Sequence, residues 1–119
     1  MSLPTNENLE KRHDLRLDSV FSVLLETELG EFIAVARNVS PGGMFIETRD
    51  PLPLGSKVVV RFQIPNGDDE IVATGEVKNH YFLNFQESSL TGMGLRFFGF
   101  EAEGRAVLQR HLYRTRVLH

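Results

Sequence analysis

The sequence predicts an all-β fold: a small, mainly antiparallel barrel of six strands, closed at one end by a C-terminal α-helix. Short apolar runs recur along most of the chain, and clusters of glycine, proline, asparagine and aspartate separate them, as turns do. After Gly99 the period of the apolar residues changes from two to that of a helix. The 119 residues, 41% of them hydrophobic, are enough for one domain with its own core.

The first three strands are predicted from alternation and from the turns between them. Apolar and polar side chains alternate over residues 21–27, and Gly30 then marks a turn into a second run over residues 32–37. This pair of runs is typical of an antiparallel hairpin. Residues 40–43, Ser-Pro-Gly-Gly, end the second strand, and residues 44–48 form a short third strand.

The last three strands follow a loop that contains two prolines, which cannot donate hydrogen bonds to a sheet. Residues 57–64 form a strong strand pattern with three consecutive valines. A turn cluster at residues 65–69, Pro-Asn-Gly-Asp-Asp, separates it from a long strand over residues 70–82. A polar loop over residues 84–91 then leads into a final strand over residues 92–98.

The C-terminal helix is predicted from a helical spacing of apolar residues. Its apolar side is formed by Val107, Leu108, His111 and Leu112. Arginines near the end of this segment complement the helix dipole. Residues 1–9 lack any apolar period and are predicted to be a flexible tail, so residues 10–119 are predicted to form the single domain.

Composition and charge argue against several classes of function. The net charge of −3 and the pI of about 5.8 argue against a protein that coats DNA or RNA, because such proteins carry an excess of positive charge. The chain has no cysteine, no signal-peptide pattern at its start and no stretch of the roughly 20 apolar residues that a membrane helix needs. We therefore expect a cytoplasmic protein that does not insert into membranes. The sequence does not fix the oligomeric state, for which we expect a monomer or a weak dimer.

Two arginines near the start of the chain form the first candidate motif. The run at residues 11–16 reads Lys-Arg-His-Asp-Leu-Arg and places Arg12 and Arg16 four residues apart. This spacing keeps both side chains on one face of a strand or a helix. Guanidinium groups match phosphate oxygens and stack on flat rings. The alternative is a basic tail in solvent with no ligand.

A second candidate motif lies where the second predicted strand ends. Residues 38–43 read Asn-Val-Ser-Pro-Gly-Gly. The Asn38 amide and the Ser40 hydroxyl both donate and accept hydrogen bonds, so they suit the edge of a base. Gly42 and Gly43 allow backbone to approach a ligand closely. The alternative is a plain turn, because turns use these residue types for local reasons.

The two motifs, in this order and on these elements, resemble the PilZ family. Its members carry an Arg-x-x-x-Arg segment before the first barrel strand and an Asp/Asn-x-Ser-x-x-Gly motif after the second, which correspond here to Arg12, Arg16, Asn38, Ser40 and Gly43. The run at residues 92–97, Gly-Met-Gly-Leu-Arg-Phe, is similar to a late strand of the family. The resemblance extends from about residue 10 to the C-terminal helix.

The resemblance implies a PilZ-like split β-barrel that binds cyclic di-GMP, a bacterial second messenger. In the family the two arginines contact the phosphates and stack on the guanines, the Asn and Ser contact a guanine edge and a phosphate, and the glycine allows close approach. We carry these roles over to the matching residues and expect further ligand contacts from Lys11 and Gly42. Many ligand-binding members also place tryptophan or another large residue near the end of the fifth strand, and residues 75–80 do not supply one.

The sequence contains no credible catalytic set. None of the four histidines has a cysteine partner or the spacing of a metal site. Ser40 has no evident base beside it, so a nucleophilic role is not expected. The acidic run at residues 68–70 follows Asn-Gly and is interpreted as a solvated turn. We expect neither enzymatic activity, nor a metal, nor a cofactor other than the ligand.

The sequence therefore predicts a cyclic di-GMP receptor or adaptor that acts through an unidentified effector protein. Ligand binding is expected to order residues 10–17 and so to create or hide a surface for that partner. The main alternative is a PilZ-like interaction module that binds no nucleotide. A small barrel that binds other nucleotides or single-stranded nucleic acid is a third possibility, which the acidic net charge disfavours.

Overall fold

The computed structural model describes residues 15–84 and 89–117 of the chain. The predicted flexible tail at residues 1–9 lies outside these described residues. The elements, in chain order, are β1 (Phe21–Thr27), β2 (Gly30–Ser40), β3 (Gly43–Glu47), β4 (Lys57–Gln63), β5 (Glu70–Asn84), β6 (Ser89–Phe100) and α1 (Gly104–Val117). The predicted class, six strands followed by one helix, is confirmed.

The six strands form a closed antiparallel barrel in the order β1-β2-β3-β6-β5-β4. The barrel closes where β1 pairs with β4, over only three residue pairs. Leu24 pairs with Arg61 at this seam, and the Arg61 Nε donates a hydrogen bond across it to Glu26 Oε2 at 2.5 Å. The hydrogen bond to Glu26 and the charge of that carboxylate raise the pKa of Arg61.

Alternation along the strands builds the core, as the period-two patterns predict. The inward side chains of all six strands are buried, and they include Val23, Leu25, Val39, Ile46, Val60, Ile71, Val77, Met93 and Leu95. Helix α1 covers this core with Leu108 and Leu112, which are almost fully buried. A Cβ at Gly104, the first residue of the helix, would lie 3.3 Å from the Phe100 side chain, so helix and barrel approach each other closely.

The main difference from the prediction is the length of the β5–β6 hairpin. The expected polar loop at residues 84–91 is in part a continuation of both strands, since Leu83 pairs with Leu90 and Asn84 with Ser89. Residues 81–84 of this ribbon are exposed. Because neither face of the ribbon is buried, no alternating pattern marks it in the sequence.

Three irregularities in strand pairing change which side chains reach the barrel surface. The β2–β3 register shifts between Ala36 and Asn38. The β5–β6 register shifts twice, which leaves Phe98 unpaired on β6 and Lys78 unpaired on β5. An extra residue in one strand bends that strand and re-aims its side chains, and such bulges are common next to binding sites. Both Lys78 and Phe98 are exposed.

Candidate functional site

The turn between β2 and β3 organises its own polar side chains. The Asn38 Oδ1 accepts a hydrogen bond from the backbone N–H of Phe45 at 3.2 Å, which ties the end of β2 to β3 just after the bulge. The Ser40 Oγ accepts from the backbone N–H of Gly42 at 3.2 Å. In the described part of the chain no hydrogen bond uses the amide N–H groups of Asn38, so these donors are the ones it can offer to a ligand.

The two glycines of this turn have different surroundings. A Cβ at Gly43 would fall well within 3.0 Å of the backbone carbonyl oxygen of Leu95, because β3 and β6 approach each other there. A Cβ at Gly42 would meet only the Ser40 Oγ, at 3.8 Å. The absence of a side chain at Gly43 therefore serves strand pairing, whereas Gly42 is exposed, with its backbone N–H bonded to Ser40 Oγ and its carbonyl oxygen accepting from the Phe97 N–H at 2.9 Å.

A cleft of about 430 Å³ lies beside this turn, between β3, β5 and β6. It is lined by Asn38, Gly42, Met44, Phe45, Lys78, Asn79, Tyr81, Gly94, Leu95 and Arg96. Its lining contains two cations and no carboxylate, which favours an anionic ligand.

An aromatic wall forms one side of the cleft. The rings of Tyr81 and Phe45 meet edge to face with centroids 5.4 Å apart. A Cβ at Gly94 would lie 3.2 Å from the Tyr81 ring, so the glycine leaves room for that ring against β6. Tyr81 is 42% exposed and therefore has a free ring surface for stacking. It lies one residue beyond the segment in which the sequence showed no large side chain.

Several cleft residues were not predicted from the sequence. Lys78, Asn79 and Tyr81 belong to no motif, and Arg96 stands at a variable position of the run at residues 92–97. These four residues come together because β5 and β6 pair beside β3. Arg96 pairs directly with Gly43 across β3 and β6, which brings a guanidinium group to the β2–β3 turn. The Gly-x-Gly pattern of β6, whose Gly94 lines the cleft, was the one feature of the sequence that pointed to this part of the site.

Of the predicted arginines, only Arg16 lies within the described residues; Lys11 and Arg12 lie outside them. The backbone N–H and C=O of Leu17 exchange hydrogen bonds of 2.9 and 3.0 Å with Val39. Val39 stands between Asn38 and Ser40, so this bridge holds Arg16 next to the second motif. The Arg16 side chain is exposed, and its Nε lies 3.1 Å from Asp18 Oδ1.

Among the described residues, the structure thus brings the predicted ones close to the β2–β3 turn but divides them into two groups. Asn38 and Gly42 line the cleft itself. Ser40, Gly43 and Arg16 lie beside it and are not among the residues that line it. Within residues 15–84 and 89–117, no group of three or more histidines and carboxylates is arranged to hold a metal ion. The helix that the structure describes is too short and too polar to cross a membrane.

A small barrel whose polar, aromatic and cationic residues meet in an open cleft is the architecture of a ligand-binding module. The PilZ domain model matches residues 10–114, so the chain belongs to the PilZ family, a family of cyclic di-GMP receptors. Domains of this family are ligand-binding and adaptor modules. Among curated proteins, none matches the sequence.

Solved structures with the same fold include three PilZ proteins. The inhibitor of motility MotI/DgrA of Bacillus subtilis aligns with a TM-score of 0.73 and 20% identity over 89% of this chain and 51% of that one. MrkH of K. pneumonia in its apo state aligns with a TM-score of 0.59 and 19% identity over 86% and 48%. The PilZ domain of CeSA from a cellulose-synthesizing bacterium aligns with a TM-score of 0.55 and 12% identity over 85% and 97%. The chain spans about half the length of the first two.

Proposed function

We propose that this protein is a receptor that binds cyclic di-GMP and passes the signal on by contact with a partner protein. The observation that carries the proposal is the position of the family motif: Asn38 and Gly42 line a cleft that also holds two cations and a tyrosine. The family supplies the class of ligand, and the cleft supplies groups that fit it.

The chemistry of the cleft matches the two features of a cyclic dinucleotide. Its phosphates carry negative charge, for which Lys78 and Arg96 are suitable partners, with Arg96 able to make paired hydrogen bonds. Its purine bases present flat faces, for which the exposed Tyr81 ring is a stacking partner. The amide N–H groups of Asn38 complement acceptor atoms on a guanine edge.

The arginine segment provides the remaining contacts in this proposal. Arg12 and Arg16 bind phosphate and stack on guanine, with Lys11 as an additional phosphate contact, as the resemblance implies. The backbone bridge from Leu17 to Val39 supports this role, because it holds the end of the segment beside the motif. The Arg16–Asp18 pair is exposed, so exchanging the carboxylate for a phosphate costs Arg16 little.

Ligand binding is proposed to order residues 10–17 over the barrel, which then creates or hides a surface for the partner. The Leu17 backbone is already held by Val39, so the change is expected mainly in the residues before it. Hydrogen exchange measured with and without saturating cyclic di-GMP tests the idea. Unchanged protection of residues 8–18 in a protein that binds the nucleotide would contradict it.

Calorimetric titration with cyclic di-GMP is the direct test of the receptor function. We expect the parent protein to bind cyclic di-GMP and not GTP, and we expect Arg12→Ala and Arg16→Ala to lose binding. Arg110→Ala is the matched control, because it removes an exposed arginine from α1 that does not line the cleft. A folded parent protein that does not bind cyclic di-GMP would refute the proposal and leave a partner-docking module as the better interpretation.

A further inference from the structure

A second cleft, also of about 430 Å³, lies on the outer face of β4, β5 and β6. It is lined by Lys57, Glu76, Lys78, Arg96, Phe97 and Phe98. Lys78 and Arg96 also line the cleft beside the β2–β3 turn, which we call the nucleotide cleft after its proposed ligand, so the two clefts are neighbours with shared walls. No residue of the motif at residues 38–43 lines the second cleft, whereas Arg96 and Phe97 belong to the run at residues 92–97.

Strand pairing explains how these side chains meet. Glu76 on β5 pairs directly with Lys57 on β4 and with Arg96 on β6, and directly paired residues point to the same face of a sheet. The two β5–β6 bulges flank this row and leave Lys78 and Phe98 as the extra residues. Both bulges therefore add a side chain to one surface platform, which we call the β4–β6 platform.

The β4–β6 platform combines excess positive charge with an exposed ring. Its single carboxylate, Glu76, lies 3.9 Å from the Lys57 Nζ and 3.2 Å from the Lys78 Nζ. Arg96 takes part in none of the ion pairs among residues 15–84 and 89–117. The Phe98 ring is 56% exposed, and the Lys57 Nζ stands 5.8 Å from its centroid. Three cations around one carboxylate leave a net positive platform on a chain whose net charge is −3.

We propose that the β4–β6 platform docks an extended acidic segment of the partner protein, with an apolar side chain of that segment on Phe98. The inference rests on the part of the proposed function in which the signal leaves by protein contact. Lys57 and Arg96 are separated by two strand spacings, or roughly 10 Å, which matches carboxylates three residues apart in an extended polyproline II segment, whose period of three keeps them on one face. A single phosphate fits poorly, because Glu76 stands between the two cations.

The shared walls couple this platform to the nucleotide cleft. Phosphates bound in the first cleft contact Lys78 and Arg96. Lys57 is then the one cation of the platform that does not also contact the nucleotide. Cyclic di-GMP therefore weakens docking of the acidic segment, and by linkage the segment weakens nucleotide binding by the same factor. The platform is thus the partner-binding surface that becomes less available when cyclic di-GMP binds.

An NMR titration of the full chain with two capped peptides tests the inference. One peptide is Glu-Ala-Leu-Glu-Ala-Leu-Glu-Ala, whose glutamates recur at every third residue, and the other carries glutamine in their place. We expect saturable shifts at Lys57, Lys78, Arg96 and Phe98 with the glutamate peptide alone. Lys57→Gln and Phe98→Ala should each weaken binding about two- to fivefold, as exposed single contacts do, while Arg110→Gln on α1 should not.

The outcomes separate this inference from the proposed function. Absent shifts, equal shifts from the glutamine peptide, or an equal effect of Arg110→Gln would overturn the docking site even in a protein that binds cyclic di-GMP. Peptide binding without any nucleotide binding would support the docking site and refute the receptor. If cyclic di-GMP itself required Lys57 for binding, the platform would be a nucleotide subsite, and the inference would be wrong.

Discussion

Gly42 and Gly43 are neighbours in the β2–β3 turn, yet replacement by alanine should have very different effects at the two positions. At Gly43 the new methyl group would occupy the space of the Leu95 carbonyl oxygen, so β3 and β6 must move apart. At Gly42 the nearest atom to the methyl group is the Ser40 Oγ, at 3.8 Å, an ordinary contact. Gly43→Ala is therefore expected to destabilise the barrel, whereas Gly42→Ala is not.

The size of the effect follows from the atoms involved. Overpacking a close contact costs about 1–3 kcal/mol, and each weakened hydrogen bond between β3 and β6 adds about 1 kcal/mol. A total of about 3 kcal/mol corresponds to a drop in Tm of roughly 12 °C for a domain near this size. Gly42→Ala should change Tm by no more than about 2 °C, since its Cβ makes only an ordinary van der Waals contact with the Ser40 Oγ.

Thermal unfolding followed by circular dichroism measures both variants against the parent protein. A Gly43→Ala variant that unfolds at the parental Tm would refute the steric argument. An equal loss in Gly42→Ala would refute it as well, because it would mean that any side chain in the turn is harmful. Gly42→Ala also probes the proposed ligand site, since it adds a methyl group to the lining of that cleft and is expected to leave the protein folded.

Two further predictions concern side chains of the proposed nucleotide cleft. Asn38→Ala removes the acceptor for the Phe45 N–H and should lower the free energy of unfolding by about 1 kcal/mol. Asn38→Asp keeps an acceptor, so its free energy of unfolding should stay within about 0.5 kcal/mol of the parental value. Chemical denaturation measures both variants. Tyr81→Ala removes the proposed stacking surface and should weaken cyclic di-GMP binding roughly tenfold by calorimetry, while Tyr81→Phe keeps the ring and most of the affinity.

Each of these predictions has a distinct contrary result. Equal losses of stability in Asn38→Ala and Asn38→Asp would mean that the hydrogen bond to Phe45 is not the source of the effect. For Tyr81, a Phe variant as weak as the Ala variant would assign the contribution to the hydroxyl group rather than to the ring. A loss of nucleotide binding in Tyr81→Ala counts only if its unfolding temperature is preserved.

The fold was largely predictable because its signals are local. The predicted strand over residues 57–64 lies within one residue of β4, since alternate side chains are buried on one face and Pro-Asn-Gly follows directly. The β5–β6 ribbon was missed beyond residue 82 because it is exposed on both faces and leaves no such pattern. Helix α1 was recognised from Leu108 and Leu112, which bury its apolar side.

The sequence by itself determined the class of fold, the order of its elements and the motif at residues 38–43, because these depend on side-chain period and on turn chemistry between neighbours in the chain. Only the tertiary structure decided that Arg96 lies beside Gly43 and that Tyr81 faces Phe45, because strand pairing joins residues that are tens of positions apart. The placement of Lys78 and Phe98 on one platform depends on two bulges in the β5–β6 pairing. A bulge is an extra residue in one strand relative to its paired strand, so the sequence of either strand alone does not predict it.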